Sequence, residues 1–272
     1  MSIPDDAWPE APPGDAPVDG KPPEAYSGTP GAHTWTALFA LVLAFIAYDS
    51  IAIAIDGIQA ALDPDGQQAQ AIEDNAGLIT PGVLWLNSAF ILIIFGAIPV
   101  AWVALTRVKA SATWRYLHMD GPDIGKRLAV GLGIGVLMWL ALIVINVIRL
   151  AVTGELDAAL DGNGTQESAV TRALLDNLNW PLAFFIALVA GVAEEIFFRG
   201  VLQRWIGVWG QGIVFGLTHA GYGTVDQILF PFILGIAFGF MVKRGYGLWM
   251  AIGAHFMFDF VQLSLALLIG TG

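Results

Sequence analysis

The stretch RLAVGLGIGVLMWLALIVINVIRLA, residues 127–151, decides the fold class. Across its 25 residues the only charges are Arg127 and Arg149. An α-helix rises about 1.5 Å per residue, so roughly 20 apolar residues cross the hydrocarbon core of a bilayer. A strand of a membrane barrel would alternate in polarity and end after about ten residues. This run is continuous and long, so it reads as a transmembrane helix.

Working outward, comparable apolar runs lie near 34–56, 82–105, 180–206, 209–223, 227–242 and 246–269. The expected fold is all-α, a polytopic transmembrane bundle of about seven helices over residues 34–272. Composition agrees: 56% of the chain is hydrophobic and 13% charged, about half the charge of an ordinary soluble domain. The absence of cysteine excludes a disulfide framework and a thiolate metal site.

Residues 1–33 differ in kind. They hold eight of the 14 prolines and six acids against one base, Lys21. Such a stretch buries too little apolar surface to offset its ordering entropy, so it reads as a disordered acidic tail. It lacks a basic segment followed by an apolar core and is not a secretory signal.

Basic residues set the expected orientation. The 106–126 connection holds Arg107, Lys109, Arg115 and Lys126, and the 243–245 turn holds Lys243 and Arg244. The 57–81 connection has four acids and no base, and 152–179 has five acids and only Arg172. The N-terminus and both basic connections are therefore expected in the cytoplasm. The acidic connections, with the sequon-like Asn163-Gly164-Thr165, are expected outside. No basic-aromatic surface points to nucleic acid; the implied surroundings are a lipid bilayer and a peptide or protein substrate. Gly131, Gly133 and Gly135, and likewise Gly235 and Gly239, read as close helix packing rather than a nucleotide loop.

Ionisable groups at membrane depth are costly and mark candidate sites. The densest group is Glu194-Glu195-Ile196-Phe197-Phe198-Arg199. Glu195 and Arg199 stand four apart on one face and can pair. Glu194 points about 100° away and can face a cavity. Two of the four histidines, His219 and His255, fall inside apolar runs, and Asp259 follows His255 by one turn. Counted from turns near Gly207–Gly210 and Gly245–Gly247, these groups share a band of depth, at about 13–20 Å.

Three segments in this order, Glu194-Glu195-Ile-Phe-Phe-Arg199, Phe215-Gly-Leu-Thr-His219 and His255-Phe-Met-Phe-Asp259, resemble the EExxxR, FxxxH and HxxxN/D motifs of the CPBP family, which includes the type II CAAX prenyl endopeptidases. The resemblance covers about 180–265. It implies an intramembrane glutamate-type endopeptidase acting on membrane-associated, CAAX-like peptides without a cofactor. By similarity, Glu194 would activate water and His219 would hold it. His255 and Asp259 would serve the oxyanion, and Glu195 and Arg199 would form a structural ion pair. Asp259 stands where eukaryotic members carry Asn. Its favoured role is to accept a hydrogen bond from His255 and orient that ring.

Two other readings compete. Glu194, His219, His255 and Asp259 are also a donor set for zinc, although the chain lacks HExxH spacing. A non-enzymatic transporter-like or scaffold protein would more naturally show paired inverted repeats, and none is found.

Overall fold

The computed structural model describes residues 31–106, 110–161 and 168–270. Residues 1–30 of the expected tail, Arg107 and Lys109, and Asn163-Gly164-Thr165 fall outside the described residues, while the last two tail positions, Ala32 and His33, already belong to the first helix. The described elements are helical: α1 (Ala32–Leu62), α2 (Gln67–Ala76), α3 (Pro81–Thr106), α4 (Ala110–Tyr116) and α5 (Ile124–Thr153). They continue with α6 (Leu156–Leu160), α7 (Ala169–Asp176), α8 (Trp180–Tyr222), α9 (Asp226–Lys243) and α10 (Leu248–Gly270). Among the described residues, six of these are long and apolar enough to cross a membrane: α1, α3, α5, α8, α9 and α10.

The outer faces show what solvent they meet. Leu41, Phe45, Leu86, Phe90, Leu137 and Val144 are all exposed on α1, α3 and α5. An apolar surface of that extent is incompatible with water and ordinary in lipid. The chain is a multi-pass helical membrane protein.

The count of six meets the expectation of about seven at α8. The runs at 180–206 and 209–223 are two arms of one segment, divided at Gly207 (φ 72°, ψ 179°). A positive φ costs glycine little, and the arms fold back on each other there. Side chains from the two arms meet: the Phe198 and Phe215 rings lie 4.9 Å apart at 77°. The first arm also contains two π-helical stretches, Ala190–Glu194 and Ile196–Leu202. Such wide turns recur at functional sites because they re-aim side chains. α8 ends in a 3-10 turn, Ala220–Tyr222.

Close packing follows the small residues. A Cβ on Gly131 or Gly135 of α5 would overlap the backbone carbonyl of Met250 or Ala254 on α10. On Gly253 it would lie 2.6 Å from the Leu128 carbonyl. The second arm of α8 meets α9 as closely: a Cβ on Gly235 would lie 3.1 Å from Gly212 Cα. Two buried amides cross this seam, Gln203 Nε2 donating to the Gly239 carbonyl at 3.0 Å and Gln211 Nε2 to that of Gly235 at 2.7 Å. In lipid, where hydrophobic attraction between helices is lost, such contacts hold a bundle together.

The connections sort by charge to opposite ends. Leu248 N donates to the His118 carbonyl (2.9 Å), Trp249 Nε1 to that of Met119 (2.9 Å) and Arg127 to that of Tyr246 (3.1 Å), joining the two basic connections. At the other end Arg172 on α7 lies 3.7 Å from Glu73 on α2, joining the acidic ones. His118 itself has positive φ (55°) and its Nε2 lies 2.7 Å from Arg204. Burial, and then the Arg204 charge, lower its pKa to about 4.

Arg149, near the end of α5, donates to Asn146 Oδ1 at 3.0 and 3.2 Å and pairs with Asp226 at 3.1 Å and Glu155 at 3.7 Å. Acids at the ends of neighbouring elements supply a partner that the sequence of α5 alone does not contain. Asp49 is exposed on α1 and does not line the cavity that holds the candidate site.

Candidate active site

A cavity of about 550 Å³ opens between α3, α5, α7, α8, α9 and α10. Glu194, His219, His255 and Asp259 all line it. Glu195 and Arg199 do not; they lie behind it, with fully buried side chains. The four expected site residues are thus brought together, and the expected ion pair is set apart from them.

The buried cluster holds the site's frame. Arg199 Nη1 donates to Glu195 Oε1 at 2.7 Å. The same oxygen accepts from His255 Nδ1 at 2.8 Å. Because Glu195 is paired with Arg199, its oxygen is the acceptor and Nδ1 carries the proton. The Arg199 guanidinium lies 4.5 Å from the Phe215 ring centroid, 5.2 Å from Phe238 and 5.8 Å from Phe198. Aromatic faces suit a desolvated guanidinium. The cluster thus joins all three motifs: Glu195 and Arg199 from the first, Phe215 from the second and His255 from the third.

The open side is arranged differently. His255 Nε2 lies 3.9 Å from Glu194 Oε2 and 3.4 Å from Asp259 Oδ2. Two carboxylates around one ring nitrogen need a proton between them, since like charges at that range repel. Glu194 Oε2 is buried with no hydrogen-bond partner, a costly state for a carboxylate oxygen unless something enters to bind it. His219 Nδ1 donates to the Phe215 carbonyl at 2.8 Å, which leaves Nε2 of the neutral ring as an acceptor.

Asp259, expected to orient His255, is not the nearest carboxylate to that ring. Glu195 makes the shorter contact, and through the other nitrogen. Sequence reasoning had paired Glu195 with Arg199 alone, because its contact with His255 spans 60 positions and leaves no local trace. It also missed Tyr222, Asn87, Asn146, Gln227 and Gln262 on the cavity wall. Their only signal was a polar residue interrupting or flanking an apolar run.

A metal would need three or more side chains converging on one point at about 2.0–2.2 Å. Among the described residues, no group of three His, Asp or Glu side chains is so placed.

Comparison with known proteins follows the same segment. Residues 176–261 match the family model described as type II CAAX prenyl endopeptidase Rce1-like. The uncharacterized protein YpbD of Bacillus subtilis is 31% identical over 97 residues, 35% of this chain and 51% of that protein. A second Bacillus subtilis protein, named "Putative membrane peptidase YdiL", is 28% identical over 138 residues, 47% of this chain and 55% of that protein. The chain spans about half the length of the curated relatives it matches. No solved structure matches it. Residues 176–261, which are similar to the Rce1-like family, carry all three motifs.

Proposed function

We propose that the protein is an intramembrane endopeptidase that hydrolyses membrane-associated peptides with water activated by Glu194. The observation that carries this reading is the Glu194 carboxylate on the wall of a cavity shared with His219, His255 and Asp259, its Oε2 without a hydrogen-bond partner. A carboxylate in a water-poor site is a stronger base than one in bulk water. A water bound at Glu194 gives up a proton to it, while His219 Nε2 accepts the second water hydrogen and fixes the lone pair toward the scissile carbonyl. The amine leaves with the proton that Glu194 has held.

His255 contributes from a fixed orientation, since Glu195 holds its Nδ1. Asp259 sits at the Nε2 side and helps retain the proton there. The amides Asn87, Asn146, Gln227 and Gln262 on the wall suit the backbone of an extended peptide, which offers alternating donors and acceptors. The substrate class is therefore a peptide segment drawn into the bundle, CAAX-like or otherwise. The basic end of the bundle faces the cytoplasm in this reading, and the N-terminus with it.

The test is cleavage of a membrane-tethered peptide library by protein reconstituted in lipid, with metal content measured beside it. Cleavage that resists chelators in metal-poor protein supports glutamate chemistry. Loss on chelation with recovery on adding zinc would support a metalloprotease using the same residues. No cleavage of any peptide would favour a non-enzymatic membrane scaffold.

A further inference from the structure

The family motifs leave the oxyanion poorly served in this chain. Peptide hydrolysis places negative charge on the carbonyl oxygen, and that charge needs hydrogen-bond donors already in place. His219 spends its Nδ1 proton on the Phe215 carbonyl, and Thr218 Oγ1 donates to the same carbonyl at 2.8 Å. His255 spends its Nδ1 proton on Glu195, and its Nε2 faces the carboxylates of Glu194 and Asp259. Asp259, ionised, can only accept.

Among the polar groups these contacts leave available, Tyr222 is the one whose ring stacks beside His219. It lines the cavity with the four candidate site residues. Its ring is parallel to the His219 imidazole, 13° between planes and 6.5 Å between centroids. Among the described residues, no hydrogen bond engages its hydroxyl. A phenol donates without first having to lose a proton to a neighbour.

The turn carrying Tyr222 is held from outside the matched segment. A Cβ on Gly57 of α1 would overlap the Ala220 carbonyl, and one on Gly221 would lie 2.9 Å from the Ile53 side chain. Gly223 closes the turn with φ 75°, its N–H donating to the Ala220 carbonyl at 2.8 Å. α1 thus fixes where the phenol stands.

We propose that Tyr222 is a catalytic residue that donates its O–H to the carbonyl oxygen of the scissile bond; this rests on Glu194 being the base. The water oxygen bonds to the carbonyl carbon as one water proton passes to Glu194. The C=O π pair moves onto the oxygen, which Tyr222 holds while keeping its own proton. The pair then returns, the C–N bond breaks, and the nitrogen takes the proton from Glu194. The products are one carboxylic acid and one amine.

The test uses the reconstituted full chain and the library peptide that the wild-type protein cleaves fastest. Removal of one such donor typically lowers kcat by about 100- to 1,000-fold. Tyr222→Phe keeps the ring against His219, so kcat is expected to fall by about 100-fold with KM and thermal stability little changed. Tyr222→Leu should lose the same factor and some stability as well. If only packing matters, Tyr222→Phe will keep full kcat and only Tyr222→Leu will be impaired, which overturns the proposal. Fluorinated tyrosine at position 222 preserves both ring and hydroxyl; kcat should then change with phenol acidity, and indifference to it counts against donation. Glu194→Gln is run alongside. An inactive Glu194→Gln with a fully active Tyr222→Phe removes this inference alone, whereas an active Glu194→Gln removes the base on which it stands.

Discussion

Glu194 and Glu195 are adjacent in sequence and opposite in circumstance. The Glu195 side chain is fully buried, and its Oε1 takes hydrogen bonds from Arg199 and His255. The Glu194 side chain is 12% exposed, lines the cavity, and has an oxygen with no partner. One step along the helix turns a side chain by about 100°, enough to send one carboxylate into a sealed frame and the other into a reaction chamber. The difference teaches that a pair of identical residues at membrane depth divides into one held by a buried cation and one turned to the cavity. Both have an oxygen with no hydrogen-bond partner, but only that of Glu194 stands where a substrate can reach it.

The strongest way to break the comparison is to damage its closed half. Glu195→Gln removes the counter-charge of a fully buried guanidinium and weakens the acceptor of His255. Breaking a buried pair in this way typically costs about 3–5 kcal/mol, so the variant should purify poorly or melt far below the wild-type protein. Arg199→Met should behave similarly. Unchanged melting in both would mean that water reaches the pair and that the frame is not sealed.

A smaller effect sharpens the open half. Asp259→Asn keeps an oxygen that can accept near His255 Nε2, and Glu195 still fixes the ring. Part of the activity should therefore survive, with folding intact. Collapse of activity together with loss of a bound metal would instead indicate that Asp259 is a ligand, since outer and inner metal partners both lower affinity when altered.

The smallest expected effect lies away from the site. The folded-state pKa of His118 is about 4, below the ordinary value of 6.5. The unfolded chain therefore takes up this proton first, and stability falls as pH drops from about 6.5 toward 4. Melting temperatures across that range should show the decline, and it should be shallower in His118→Gln. An equal decline in both would remove His118 as its cause.

Much of the molecule was legible because membrane insertion and local spacing leave strong marks. Apolar length identified the spans, and an i, i+4 interval identified Glu195 with Arg199. Small residues identified the α5–α10 and α8–α9 seams. What was not legible depends on contacts between distant positions or on backbone geometry. The π-helical stretches that aim Glu194 have no composition of their own. Arg149 meets Asp226 across 77 positions, and α1 reaches the Tyr222 turn through Gly57. No periodicity within either element announces such partners.

The central claim is that Glu194 does chemistry while Glu195 does architecture, and a paired measurement tests it directly. Glu194→Gln is nearly isosteric and cannot take a proton from water. Removing a general base costs typically about 100- to 10,000-fold in rate. Cleavage of a membrane-tethered peptide and thermal melting are measured on Glu194→Gln and Glu195→Gln in the same lipid. The account predicts that Glu194→Gln melts like the wild-type protein and does not cleave, while Glu195→Gln melts early. Full cleavage by Glu194→Gln, in protein that is folded and stable, would contradict it.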